Sequence, residues 1–171
     1  AGDIVLLKDS FSTIIQAIAE GRKIYDNIRR MLFFLLSTTL GEVITMVGAL
    51  IFGLPLPVTA IQILWVNLVT DTAMVLPLGL EPAEEGNMKR PPRRPNEPLL
   101  SRLLLSRMIF VASAIAIVVL AAVFTLNADG YTTPEIQTVA FMALIAAQWV
   151  NALNARSEYV SAFRRVKTMN K

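Results

Sequence analysis

The sequence predicts an all-α fold: a multi-pass helical membrane bundle with four transmembrane helices and a cytoplasmic stalk extension. Three observations carry that prediction. First, 54% of the 171 residues are hydrophobic and the mean hydropathy is +0.56, too apolar for an ordinary soluble domain built of amphipathic elements. Second, residues 31–41, 43–70, 108–128 and 136–155 contain no charged side chain, and a helix needs about 20 mostly apolar residues to cross a bilayer. Third, the 16 Lys and Arg residues all border these stretches and none lies inside one.

Taken in order, residues 4–7 are four apolar residues between Asp3 and Lys8 and read as a short buried strand. Asp9 or Ser10 can cap the helix that follows. Phe11, Ile14, Ile15, Ile18, Tyr25 and Ile28 recur at helical spacing, with Gly21 the weak point. That stripe continues into Met31 without a breaker, so one long helix is expected to run from the stalk (residues 10–30) into a first span near 31–53. Gly53-Leu-Pro-Leu-Pro57 then makes a tight turn. A second span is expected near 58–80, closing with Pro77 and Gly79. Residues 81–101 hold Pro91, Pro92, Pro95 and Pro98 among arginines, and read as a stiff connector that cannot form a regular helix. Third and fourth spans follow near 104–127 and 137–155, and residues 156–171 form a basic segment. Trp65 and Trp149 fall deep within their spans, where packing is the expected role, as for Phe33, Phe34 and Tyr25.

The basic residues orient the bundle. Lys8, Arg22, Lys23, Arg29 and Arg30 precede the first span. Lys89, Arg90, Arg93, Arg94, Arg102 and Arg107 separate the second from the third. Arg156, Arg164, Arg165, Lys167 and Lys171 follow the fourth, and the two remaining loops have none. Both termini and the middle loop therefore belong in the cytoplasm. The net charge of +3 and pI of about 9.5 reflect this topology. No basic stripe suits nucleic acid. Without Cys or His the chain has no thiol nucleophile, no disulfide framework and no imidazole ligand or base. It starts without Met or a signal-peptide layout and reads as the middle of something longer.

The chemistry rests on two carboxylates. Glu42 sits midway along the first span and Asp71 near the middle of the second, where a charge costs at least about 3 kcal/mol. No Lys or Arg lies within these spans, so the partner must be a cation or a proton from solution. Asn67, Thr70 and Asp71 stand at i, i+3 and i+4 and share a helix face. Thr39 lies three residues before Glu42, and Gln148 and Asn151 repeat the spacing in the fourth span. Carboxylate, amide and hydroxyl oxygens suit a hard ion such as Ca²⁺, Na⁺ or Mg²⁺. The same neutral side chains also serve as interhelical hydrogen-bonding groups in membranes.

At these residues a family resemblance enters. Trp65-Val-Asn-Leu-Val-Thr-Asp71, following Ser37-Thr-Thr-Leu-Gly-Glu42, resembles the fifth and sixth transmembrane helices of P-type cation-transporting ATPases of the calcium-pump type. The opening Asp3-Ile-Val-Leu-Leu-Lys-Asp-Ser-Phe-Ser-Thr-Ile14 resembles the end of their phosphorylation domain, which would place residues 1–9 there. Met88-Lys-Arg-Pro-Pro-Arg-Arg-Pro-Asn-Glu-Pro-Leu99 is similar to the loop after their sixth helix, and Asn151-Ala-Leu-Asn-Ala-Arg-Ser-Glu158 to the end of the eighth.

The resemblance implies that Glu42, Asn67, Thr70 and Asp71 are cation ligands, with Thr39, Gln148 and Asn151 as weaker candidates. It implies an unwound stretch near Asn67–Asp71 and a close helix approach at Gly41. Two-site calcium pumps carry Asn in place of Thr39 and Glu in place of Gln148, so a single site of the plasma-membrane type is the better analogy. Ca²⁺ is the favoured ion, and related positions serve Na⁺, K⁺ and H⁺ pumps, with Mg²⁺ also compatible with the donors. ATP and its Mg²⁺ would act only through domains absent from this chain. The Asp-Lys-Thr-Gly-Thr and Gly-Asp-Gly motifs do not occur here, so this segment alone is not expected to hydrolyse ATP. The partners implied are the lipid bilayer, the upstream actuator, nucleotide-binding and phosphorylation domains, and further helices downstream. The location implied is the plasma membrane. Proton uptake by the two carboxylates after ion release, and so proton counter-transport, follows as an expectation. A channel or secondary transporter of four spans, or a non-transporting scaffold, is the rival reading.

Overall fold

The computed structural model describes residues 11–83, 87–89, 91 and 99–156. The strand expected at residues 4–7, the capping pair Asp9 and Ser10, most of the Pro/Arg connector and the tail beyond Arg156 lie outside the described residues. Among the described residues the fold is all helical, with four helices or helical stretches long and apolar enough to cross a membrane.

Helix α1 runs Phe11–Ile51 without interruption over 41 residues. At ~1.5 Å per residue it is about 60 Å long, twice the ~30 Å hydrocarbon thickness. Roughly half therefore projects beyond the bilayer, as the unbroken stripe from Phe11 to Leu36 predicts. Its far end stops at Gly53, which takes φ +63°, while Leu54 N–H donates to Ala49 O at 2.9 Å. That left-handed turn closes the last carbonyls, and Pro55 and Pro57 prevent the helix from resuming.

The second span is composite. Thr59 caps α2 (Ala60–Trp65), in a capping box with Gln62. A π-helical segment follows at Val66–Asp71, and α3 (Thr72–Gly79) completes the crossing with Pro77 inside it. The resemblance implied an unwound stretch here. The chain instead stays wound but in a wider turn, in which residues five apart bond and stack. Helix α4 (Arg102–Ala128) is capped by Ser101, whose hydroxyl accepts from Leu104 N–H at 3.2 Å. Helix α5 (Thr133–Ala155) begins four residues earlier than the span expected at 137–155. The reason is local: Glu135 accepts from the N–H and the hydroxyl of Thr132 at 2.9 and 2.7 Å, so part of the expected loop forms the first turn.

The apolar core divides in two. Phe33, Phe34, Leu78, Leu104, Met108, Ala152 and Ala155 pack at the basic end of the bundle. Val58, Ile115, Val119, Val123, Ile136, Ala140 and Leu144 pack toward the other end. On α1, Ser37, Thr38, Glu42 and Thr45 follow the first cluster, and on α5 Gln148 and Asn151 fall between the two. Helix α1 lies closest to α4, and a Cβ at Gly41 would stand 3.3 Å from Ala112 O and from Ile115 Cβ, so the close approach expected at Gly41 is present. Phe33 and Phe34 are core residues. Trp65 meets Phe141 edge-on at 5.6 Å. Beyond that contact both tryptophans depart from the packing expectation: Trp65 is 46% and Trp149 56% exposed, on outer sides of the bundle where lipid or another helix can cover them.

Candidate cation site between the two cores

Helix α1 presents Ser37, Thr38, Gly41, Glu42 and Thr45 on its buried face, the i+3 and i+4 spacing of a single stripe. The hydroxyls of Ser37, Thr38 and Thr45 turn back onto carbonyls of their own helix, at 2.6 Å to Phe33 O, 2.9 Å to Phe34 O and 2.7 Å to Gly41 O. This leaves Glu42, 6% exposed, as the ionisable group on that stripe. Its Oε1 accepts from Gln148 Nε2 on α5 at 3.0 Å, and its Oε2 from Asn67 Nδ2 on the π segment at 3.5 Å. One carboxylate thus joins three helical elements.

The π segment decides what faces inward. Val66, Thr70 and Asp71 are buried, while Asn67 lies at the exposed flank and shares its amide with Ile63 O at 3.0 Å. The straight i, i+3, i+4 face expected from an α-helix is therefore rotated: the wider turn keeps Thr70 and Asp71 inward and moves Asn67 to the rim. Asp71 is 3% exposed, a second buried carboxylate on the element that carries Asn67. Beside Asp71 is an open-sided cleft of about 290 Å³ lined by Thr39, Asn67, Asp71 and Thr72 with Leu35, Val75 and Leu76. Thr39 is exposed at its edge.

Gln148 and Asn151 are both buried on α5. Asn151 Nδ2 donates to Ser37 Oγ at 2.7 Å. Ser37 is the residue that sequence reasoning did not single out as a site partner. Its place on the 37, 38, 41, 42, 45 stripe was the available signal.

The unmet acceptors are informative. Asp71 Oδ1, Gln148 Oε1 and Asn151 Oδ1 are buried with no hydrogen-bond donor. Buried oxygens without donors are costly, and here one belongs to Asp71 and another to Gln148, whose amide nitrogen holds Glu42. Among the described residues no group of three or more His, Cys, Asp or Glu side chains comes together, so the remaining donors to any ion would be amides and hydroxyls. A hard cation needs about 6–8 such oxygens. The donor chemistry fits, with Glu42 and Asp71 supplying the negative charge.

The basic end holds a separate polar set. Asn27 Nδ2 donates to Gly79 O and Glu81 O, both at 2.9 Å, and Arg30 Nη1 donates to Asn27 Oδ1 at 2.9 Å. Arg156 pairs with Glu81 at 2.8 Å. Arg107, one turn into α4, lies 5.3 Å above the ring of Phe33, a cation–π geometry.

Four membrane-length helices enclosing buried carboxylates define a multi-pass, all-α membrane protein. Residues 55–171 match the family described as cation transporting ATPase, C-terminus, and the chain belongs to that family, as the C-terminal region of a P-type cation ATPase. It is 40% identical over 166 residues to a calcium-transporting ATPase of Bacillus subtilis (strain 168), covering 96% of this chain and 18% of that protein. It is 35% identical over 164 residues to calcium-transporting ATPase 1 of Schizosaccharomyces pombe, again 96% of this chain and 18% of the relative. A cation-transporting ATPase, pma1, of Synechocystis is 33% identical over 154 residues, 90% of this chain and 17% of the relative. The chain thus spans about a fifth of the length of the curated relatives it matches.

Proposed function

We propose that this chain is the membrane portion of an ATP-driven cation pump and supplies its intramembrane ion site, with Ca²⁺ as the transported ion and a single site per pump. In this reading the four crossings are the fifth to eighth of the whole protein, and the basic end faces the cytoplasm across the plasma membrane. The observation that carries it is the burial of both Glu42 and Asp71, with no Lys or Arg in either span and with unmet buried oxygens on Asp71 itself, on Gln148 and on Asn151. Such charges require a counter-ion, and oxygen donors select a hard one.

Glu42 and Asp71 would hold the ion by charge, and Thr70 and Asn67 would complete the shell from the π segment. Gln148 contributes a neutral amide where a second site would need another carboxylate, which supports one ion. The names of the Bacillus and Schizosaccharomyces relatives support calcium. ATP hydrolysis would occur in upstream domains. Helix α1, rigid and about 60 Å long, would carry the resulting displacement to Glu42.

The test is ATP-driven uptake of radioactive Ca²⁺ into vesicles by the pump-length protein containing this segment. Replacing Glu42→Gln and Asp71→Asn together should abolish uptake and Ca²⁺ binding. Normal uptake by the double variant would sink the site assignment. Uptake of another ion in place of Ca²⁺ would retain the site and correct the ion.

A further inference from the structure

The ion-bearing second span is weakly built on its own. It changes winding at Val66–Asp71, and α3 has only eight residues with Pro77 inside. A proline in a helix interior removes one backbone bond and crowds the preceding turn. Something outside this span must hold α3 at a defined depth, since a small slide would move Asp71 relative to Glu42.

The hold lies just past the end of α3. The main-chain oxygen of Glu81 accepts from Asn27 of α1 at 2.9 Å. Its carboxylate Oε1 accepts from Arg156 Nε at 3.1 Å and Nη2 at 2.8 Å. Glu81 is 8% exposed, so this is a charge pair shielded from water on one side, where such contacts are stronger than on an open surface. Arg156 directly follows α5, the helix that carries Gln148 two turns earlier, about 12 Å away. Glu81 follows Asp71 by ten residues. The pair therefore ties together the ends of the two elements that present Asp71 and Gln148 to Glu42.

We infer that Glu81 and Arg156 are positioning residues for the cation site, a pair that fixes the register of α3 against α5 and thereby sets ion affinity without touching the ion. The inference rests on the ion-site reading above. A pair acting only on bundle stability would lower the thermal midpoint and leave the affinity of folded protein unchanged. A positioning pair moves the affinity itself.

The experiment is equilibrium Ca²⁺ binding to the purified pump-length protein, for Glu81→Gln, Arg156→Gln, the two together, and the exchanged pair Glu81→Arg with Arg156→Glu. Each single change should raise the Kd about five- to tenfold, and the double neutral variant should add little, because contacting residues couple. The exchanged pair should return the Kd to within about twofold of wild type. Single variants that bind as wild type, or an exchanged pair that remains weak, overturn the inference. Should a single change prevent folding, the exchanged pair decides alone. Wild-type protein that binds no Ca²⁺ overturns the ion-site reading, and this inference with it.

Discussion

Gln148 on α5 donates its side-chain amide to Glu42 on α1 across 3.0 Å, leaving its own oxygen buried and unmet. The amide therefore does two opposed things: it satisfies one carboxylate oxygen and places an empty acceptor next to it. Converting Gln148→Glu would set a second carboxylate where a donor now stands. We expect that variant to unfold at a lower temperature than wild type in cation-free buffer, since two close desolvated carboxylates repel. Added Ca²⁺ should recover most of the loss, and thermal unfolding in detergent with and without the ion checks both halves. A melting temperature unchanged in either condition would show that residue 148 does not face Glu42.

Glu42→Gln alone keeps the shape of the side chain and removes half of the negative charge at this level. Because ligand charge strongly tunes Ca²⁺ affinity, a loss of at least about tenfold in affinity is expected. Binding isotherms on the pump-length protein measure it, and an unaltered isotherm would count against a role as ligand.

Two glycines of α1 should respond oppositely to alanine. A Cβ at Gly21 would have nothing within 4 Å, whereas at Gly41 it would meet the fixed carbonyl of Ala112 at 3.3 Å. Gly21→Ala should stabilise by up to about 1 kcal/mol through helix propensity. Gly41→Ala gains the same propensity but must part α1 from α4, at a cost of about 1–3 kcal/mol, so a net loss is expected. Thermal unfolding of the pair gives the two signs.

Ser37 joins α1 to α5 through Asn151 at 2.7 Å. A double-mutant cycle of Ser37→Ala and Asn151→Ala should give a coupling of about 0.6 kcal/mol, the mean for side-chain hydrogen bonds between membrane helices, and no more than about 1.7. Zero coupling would mean the contact contributes no stability.

Asn27 donates to the carbonyls of Gly79 and Glu81. In Asn27→Ala both lose that donor, so amide hydrogen exchange in residues 72–81 should quicken about tenfold, the equivalent of about 1.4 kcal/mol shared over two lost hydrogen bonds. Exchange in α4 should hold steady.

Much of this was legible in residue order. The uncharged runs located the spans to within a few residues, since crossing a bilayer constrains length and charge independently of neighbours. The start of α5 was missed because Thr132 and Glu135 are polar and read as loop, while their capping bonds extend the helix to Thr133. The charge of Glu42 and Asp71 drew attention to them without any partner being known. Asn27 and Glu81, and any role of Arg156 beyond orienting the bundle, are not legible in the sequence, because a polar residue at a span's edge is ordinary and only its contacts distinguish it.

By itself the sequence determined the all-helical class, the four spans, the long continuous α1 and the two unaccompanied carboxylates. Each is a local matter of hydropathy, helix spacing and the cost of a charge in hydrocarbon. Only the tertiary structure decided that the second span widens into a π turn that turns Thr70 and Asp71 inward and leaves Asn67 at the rim. It alone paired Gln148 with Glu42, Asn151 with Ser37, and Arg156 with Glu81. Those relations depend on how helices remote in sequence rotate and slide until their small residues and polar groups meet, and no local pattern encodes that rotation.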